Sequence, residues 1–232
     1  MSVKPKIPII CHYRINFESA WLVRGTSNQQ GGVDAGYLTD FLGRPYLPGS
    51  TMKGKIRDSF NRLLSIRPEW AMYRQFLFGS AGQNTGQVYF HDGLLDMEQI
   101  DTAELSEIYT RVSMDRYRKT VKDTAVITEK TVKPFLPLAG TIETYVQEEE
   151  LEGIGLILLL CLLDIKSIGS GASIGRGRVT MRYGAPSDQA NAAEETSYCW
   201  LETKQNDEPI TWSLHQVESL IQKETERQVR ER

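Results

Sequence analysis

The stretch Pro48-Gly49-Ser50-Thr51-Met52-Lys53-Gly54-Lys55-Ile56-Arg57 ends an extended segment and opens a helix. Ser50 or Thr51 offers a hydroxyl to cap the first free N–H groups, and Met52, Ile56, Phe60, Leu63 and Leu64 then recur at helical spacing. The spacing predicts a helix over 51–65. Lys53, Lys55 and Arg57 crowd its positive end, where each cation costs about 0.3–1 kcal/mol. Lys53 and Arg57 lie four apart and share a face, so the pattern predicts a bound anion such as a phosphate, the alternative being a solvated amphipathic helix that happens to start with lysines.

Upstream, Ile7 to Phe17 alternates at Tyr13, Ile15 and Phe17 and reads as a first strand. Trp21 to Tyr46, with Gly25, Gly31, Gly32, Gly36 and Gly43, is a long connection of the kind that carries function. Downstream, a second helical stretch from Glu69 to Phe78 stops at Gly79, and Gln87 to His91 makes a short strand. Residues 92–140 form an insertion, Thr141 to Gln147 another strand, Glu148 to Ser167 a long helix, and Val179 to Tyr183 a final strand. The order strand, helix, strand, strand, helix, strand predicts an α+β, ferredoxin-like βαββαβ core, the arrangement of RRM-like RNA-binding modules. The domain spans residues 1–183. Residues 184–232 form an acidic linker, over about Gly184 to Thr196, and a polar C-terminal helix from Ser213 to Arg230 anchored by Leu214, Val217, Leu220 and Ile221.

Charge is divided along the chain. The net formal charge is -3, which excludes a uniformly basic nucleic-acid coat, but residues 184–232 hold five Lys or Arg against ten Asp or Glu. The first 183 residues therefore keep 22 of the 27 cations and 20 of the 30 acids, a net of +2. Cys11, Cys161 and Cys199 show no metal-ligand spacing and read as buried or incidental thiols. The apolar run Ile154 to Leu163 is about half of what a membrane span requires, so the expectation is a cytoplasmic protein with no membrane partner.

Two further segments suit phosphate. Gly169-Ser170-Gly171-Ala172-Ser173-Ile174-Gly175-Arg176-Gly177-Arg178 sets four glycines and two arginines between a helix and a strand, where backbone N–H groups can approach an anion. It lacks the order of a Rossmann fingerprint and the Gly-Lys-Ser/Thr of a P-loop. The alternative is a helix stop followed by a turn. The insertion between Arg111 and Lys133 sets Arg111, Arg116, Arg118, Lys119, Lys122, Lys130 and Lys133 against Asp115, Asp123 and Glu129, a net of +4. Met114, Tyr117, Val126 and Ile127 are interspersed. That composition suits single-stranded RNA, though a charge run taken alone is more often a solvated hairpin.

Taken together, these residues resemble the RAMP superfamily, the repeat-associated RNA-binding proteins of CRISPR systems, and within it the backbone subunit of type III effector complexes of the Csm/Cmr type. The resemblance rests on Pro48 to Arg57, on Phe78-Gly79 with Gly86-Gln87-Val88-Tyr89-Phe90-His91-Asp92, on the basic hairpin ending at Gly140-Thr141, and on Gly169 to Val179, all in family order. It implies a filament-forming subunit that binds guide CRISPR RNA and single-stranded target RNA beside copies of itself, related RAMP subunits and other effector-complex subunits. The RNA-facing residues are then Ser50, Lys53, Lys55, Arg57, Arg116, Gly169, Gly171, Gly175, Arg176 and Gly177, and the 111–135 hairpin is a thumb that pushes a base out of the guide–target duplex. It also implies that Asp34, after Gly31-Gly32-Val33, is the catalytic and metal-binding residue of an endoribonuclease using a divalent ion such as Mg²⁺, with Asp40 as a lesser helper. Read from residues alone, a glycine-flanked Asp in a loop is usually a turn former or cap, and a lone carboxylate supplies few of the oxygens Mg²⁺ requires.

Three other readings stay open: a guide-RNA scaffold of the same architecture without activity, a guide-processing RNase using His12, with His91 and His215 as the remaining histidines, and a small-nucleotide enzyme. The last finds no supporting motif.

Overall fold

The computed structural model describes residues 5–25, 34–80, 82, 84–97, 104–115, 117, 120–184, 196–205 and 208–231, with the side chains of 113–115, 120–125, 205 and 227–231 left aside. Gly31, Gly32, Val33, Arg116, Arg118, Lys119 and most of the 184–196 linker, which the sequence reading singled out, lie outside the described residues.

Strand β1, Ile7–Ile15, sends Ile9, Cys11, Tyr13 and Ile15 into the core and leaves the alternate positions half-buried on the opposite face. Helix α1, Gly49–Leu63, buries Met52, Ile56 and Phe60 against the sheet. A 3-10 turn, Pro68–Tyr73, leads into the short α2, Arg74–Phe78, which stops at Gly79 in positive φ as expected. Strands β2 (Gly79–Ser80) and β3 (Asn84–Thr85) form a small ribbon, and β4, Val88–Phe90, enters the main sheet. After β5 (Leu94–Leu95) the insertion is a long antiparallel hairpin of β6, Ser106–Asp115, and β7, Thr120–Val132, with a register shift between Val112 and Met114 that locally disrupts the ladder.

Strand β8, Leu138–Val146, pairs along its length with β1 and on its other edge with β4 and β5. Helix α3, Leu151–Leu163, is buried almost all round because it lies among α1, α4, β1 and β10. Strand β9, Met181–Tyr183, is followed by β10, Ser197–Gln205, β11, Glu208–Thr211, and α4, Leu214–Glu231.

The main sheet runs β11-β10-β1-β8-β4, with β5 beside β8 and β9 beside β10. This corrects the expected final strand. The segment read as Val179 to Tyr183 survives only as β9, an outer strand parallel to β10. The neighbour of β1 is β10, antiparallel over Ile9↔Thr203 to Arg14↔Tyr198. Residues 197–205 and 208–211, grouped by their charge with the acidic tail, therefore belong to the main sheet. Cys199, Leu201 and Trp212 are buried in the core.

The C-terminal helix forms where its pattern placed it. Ser213 and Gln216 exchange backbone-to-side-chain hydrogen bonds at 2.7 and 3.2 Å, a capping box, and Val217 anchors the helix in the core. All three cysteines are buried and free. Among the described residues no helix is long and apolar enough to cross a membrane.

Candidate RNA interface at the hairpin base

At α1 the helix begins at Gly49 with Pro48 as cap, and neither Ser50 nor Thr51 makes the capping bond expected of it. The anion comes from elsewhere in the chain. Asp92, just after β4, accepts a 2.7 Å hydrogen bond from the Gly49 N–H and places a carboxylate at the positive helix end. Gly49 is obligatory there, since a Cβ would collide with the Phe90 carbonyl. Ser50 is exposed and Lys53 half-buried. Arg57 is exposed, its guanidinium 5.1 Å from the Phe78 ring centre and donating to the Phe78 carbonyl at 3.4 Å.

The helix and the foot of the glycine-rich loop do meet, further along than the sequence reading placed the contact. Lys55, Asp58, Ser59 and Arg62 of α1 face Ile165, Lys166 and Ser167 across a cavity of about 210 Å³. Arg62 is already paired with Asp164 at 2.7 Å, which leaves Lys55 and Lys166 as cations without a described acid partner on that cleft.

The glycine-rich loop is a closed turn. Gly169, Gly171, Gly175 and Gly177 all take positive φ around a short 3-10 turn at Ala172–Ile174, and the Ile168 N–H bonds the Gly177 carbonyl at 2.9 Å. The loop is tied to the segment after β1 by Ser170 N–H to Leu22 O at 2.7 Å and Gly177 N–H to Ala20 O at 2.9 Å. Arg178 points outward, 67% exposed. Arg176, expected to face RNA, turns inward and is 6% exposed.

What Arg176 meets is Glu129 on β7, the residue the sequence reading passed over as one acid in a basic run. Glu129 is 1% exposed. Its Oε2 accepts from Arg176 Nη1 at 2.6 Å and its Oε1 from Arg24 Nη2 at 2.7 Å, while Arg111 Nε lies 3.5 Å from Oε2. Tyr109, opposite Glu129 in the hairpin, stacks its ring 4.3 Å from the Arg176 guanidinium. Burial would raise the Glu129 carboxyl, but hydrogen bonds from Arg176 and Arg24 and the charges of Arg176 and Arg111 outweigh it and hold the pKa below the ordinary glutamate value. Three elements far apart in sequence thus close on one carboxylate: the segment after β1, the hairpin and the glycine-rich loop.

Asp34 stands at this junction. Residues 34–37 run along the free edge of β7, with Ala35 bridged to Glu129. Asp34 donates its N–H to the Thr128 carbonyl and accepts the Thr128 N–H on Oδ2, both at 2.7 Å, and its side chain is exposed. Asp40, the proposed helper, is a turn former. It accepts from the N–H groups of Leu42 and Arg44 and from Arg44 Nε, each at 2.9 Å. Burial pushes its pKa up, and these bonds more than offset that. Lys130 sits 5.7 Å from the Tyr37 ring centre.

Among the described residues no group of three or more His, Cys, Asp or Glu side chains is placed to hold a metal ion. Asp34 fits only a site of the kind Mg²⁺ commonly uses, one carboxylate completed by waters and substrate phosphates.

His12 stacks on Trp200 at 4.9 Å on the face of the sheet away from the helices, with Nε2 3.3 Å from Glu202. Burial lowers its pKa and Glu202 partly restores it. His91 lies 3.5 Å from Glu143, and His215 is exposed on α4.

No curated protein matches the chain in sequence. Among solved structures, the Type III-B Cmr-beta bound to cognate target RNA contains a chain superposing with a TM-score of 0.58 at 12% identity, covering 72% of this chain and 94% of that one. The apo state of Type III-B Cmr-beta gives 0.54 at 13% identity, covering 73% and 95%. At such identities the likeness is one of fold, a mixed α/β architecture with an antiparallel sheet and helices. The sequence profile of the RAMP superfamily matches residues 14–180, the interval from β1 through the hairpin and the glycine-rich loop. The chain is a member of the RAMP superfamily.

Proposed function

We propose that this protein is an RNA-binding backbone subunit of a type III CRISPR ribonucleoprotein, holding guide RNA and presenting complementary target RNA to Asp34. The observation that carries the reading is the closure of the post-β1 segment, the basic hairpin and the glycine-rich loop around Glu129, with Asp34 exposed at the same junction. The run β10-β1-β8-β4, antiparallel throughout with α1 and α3 as crossovers, supports a ferredoxin-like βαββαβ core in which β10 serves as fourth strand.

In this reading cations of α1 and the cleft at Lys55 and Lys166 engage the guide backbone, and the hairpin displaces a base from the guide–target duplex. The distorted target strand brings a ribose 2′-oxygen in line with its own phosphorus. The O–P bond forms as the bond to the 5′-oxygen breaks, the 2′-hydroxyl proton leaves to a base, and the departing oxygen takes up a proton. A divalent ion held by Asp34 and RNA phosphates would supply Lewis-acid stabilisation of that charge. Thr128 fixes Asp34 by one oxygen, so the other remains to face the strand.

A second reading, a guide-RNA scaffold without cleavage, is favoured by that same bond and by Asp34 standing without a neighbouring acid cluster among the described residues. The deciding experiment is to purify the chain with its complex from cells and sequence the co-purified RNA, then add matching target RNA with and without chelator. Discrete guides with chelator-sensitive cutting support the first reading, guides without cutting the scaffold, and absence of RNA refutes both.

A further inference from the structure

Three guanidiniums surround one carboxylate at the hairpin base, which leaves a surplus of two positive charges around Glu129. Two of their donors form no hydrogen bond, although Arg111 Nε lies 3.5 Å from Glu129 Oε2. Arg111 Nε and Arg176 Nη2 are both buried without a hydrogen-bond partner among the described residues. A buried donor left without a hydrogen bond is costly, more so on a charged group, and the cluster carries that cost twice. The cluster is also reachable, since the Arg24 and Arg111 side chains are 52% and 39% exposed while Arg176 and Glu129 form its floor. A floor of one buried carboxylate under a rim of two half-exposed guanidiniums, with a surplus of two positive charges, describes a receptor for a small anion with several acceptor oxygens.

We propose that Arg24, Arg111 and Arg176, held in place by Glu129, form a seat for a backbone phosphate of the RNA strand that passes Asp34. The inference rests on the RNA-binding reading and deepens it by naming the contact. Arg24 and Arg111 are phosphate ligands, and Glu129 is a positioning residue that keeps the forks aimed while neutralising one of three charges. The place of the seat gives it a use. Asp34 is hydrogen-bonded to the backbone of Thr128, the neighbour of Glu129 on β7, and Ala35 is bridged to Glu129 itself, so a phosphate anchored on the arginines holds the strand at the junction where Asp34 stands. Tyr109, packed on Arg176, keeps that guanidinium from following the ligand outward.

The test has two arms. In the RNA-free subunit, arginine side-chain N–H signals are followed by NMR while inorganic phosphate is titrated in. The Arg111 and Arg24 signals shift saturably, and the response is lost in Arg111→Gln and weakened in Arg24→Gln. In the second arm, the salt dependence of single-stranded RNA binding is measured for the same variants, and its slope becomes shallower by up to about 0.7, the contribution of the one phosphate that the arginines share. Both variants alter half-exposed side chains, and an Arg111→Lys variant, which keeps the charge but loses the Nε donor, retains the slope while losing most of the phosphate response. Unmoved arginine signals with unchanged salt slopes, in a subunit that still binds RNA, overturn the seat and leave the RNA reading standing. A saturable phosphate response in a subunit that binds no RNA supports the seat and removes the reading on which its ligand rests.

Discussion

Removing the carboxylate of Glu129 tests whether the junction is held as described. In Glu129→Ala the Arg176 guanidinium, 7% exposed, loses its 2.6 Å partner and keeps only the Tyr109 ring. Breaking a buried ion pair from one side typically costs about 3–5 kcal/mol, because the remaining charge stays out of water. Arg24 and Arg111 add little, since at 52% and 39% exposure they re-solvate and such pairs contribute about 0–1 kcal/mol. The expected loss is therefore about 3–5 kcal/mol, a large share of the total for a domain of this size. At about 2–4 °C per kcal/mol the melting midpoint falls by roughly 6–20 °C. The assay is urea unfolding of a double-mutant cycle with Arg176→Met, which removes the stranded charge. The double variant recovers at least about 2 kcal/mol relative to the sum of the single changes. Additivity within about 0.5 kcal/mol would refute the buried pair. The acid limb gives a second readout. A glutamate held below its ordinary pKa contributes stability that is present above the unfolded value and lost as pH falls through the folded one. Wild-type stability thus declines into acid more steeply than that of Glu129→Gln.

Asp34→Ala loses one hydrogen bond to the exposed Thr128 amide, a cost of about 0.5–1.5 kcal/mol; assembled complexes keep their guide and bind target within about twofold while cutting falls at least about 100-fold, and unchanged cutting removes Asp34 from the mechanism. Gly177→Ala forces a Cβ onto a residue at φ +62° and into the Ile168 carbonyl, so it costs more than the roughly 1–2 kcal/mol of the left-handed conformation alone; a urea midpoint equal to wild type would show that the loop is not closed as described. Lys53→Ala weakens RNA binding across sequences and flattens its salt dependence by about one unit of slope, whereas an identical slope counts against phosphate contact at α1.

Helices and hairpin were legible because each carries its signal locally. Met52, Ile56 and Phe60 are one helical face within nine residues, and Gly79 stops α2 by its own backbone freedom. Strand β10 carried a local signal too, with Cys199, Leu201 and Thr203 inward and Tyr198, Trp200 and Glu202 half-exposed, but its acidic, alanine-rich approach made it read as tail. Period-two alternation should have outranked composition there. Glu129 carried no local signal. Its partners lie 105 residues away at Arg24 and 47 away at Arg176, and nothing in a basic run marks one glutamate as buried. Only the pairing of β7 with the segment after β1, and the inward turn of the glycine-rich loop, bring those groups together.

The sequence showed a helix with cations where an anion belonged, and the fold answers with Asp92; it showed arginines in a glycine-rich loop and a hairpin, and the fold answers with Glu129. The two answers differ in how much charge they leave. Asp92 meets the first backbone N–H of α1 with a full negative charge, so a phosphate approaching that end competes with a resident carboxylate and must be held by Lys53 or by the cleft at Lys55 and Lys166. Glu129 meets three guanidiniums and leaves a surplus of two positive charges, so a phosphate arriving there meets the half-exposed Arg24 and Arg111 without displacing a resident carboxylate from a helix end. Desolvating an anion is repaid best where donors are already oriented and unpaired. The hairpin base, rather than the N-terminal end of α1, is therefore the stronger anion site of the RNA-free subunit, and it is the one that adjoins Asp34.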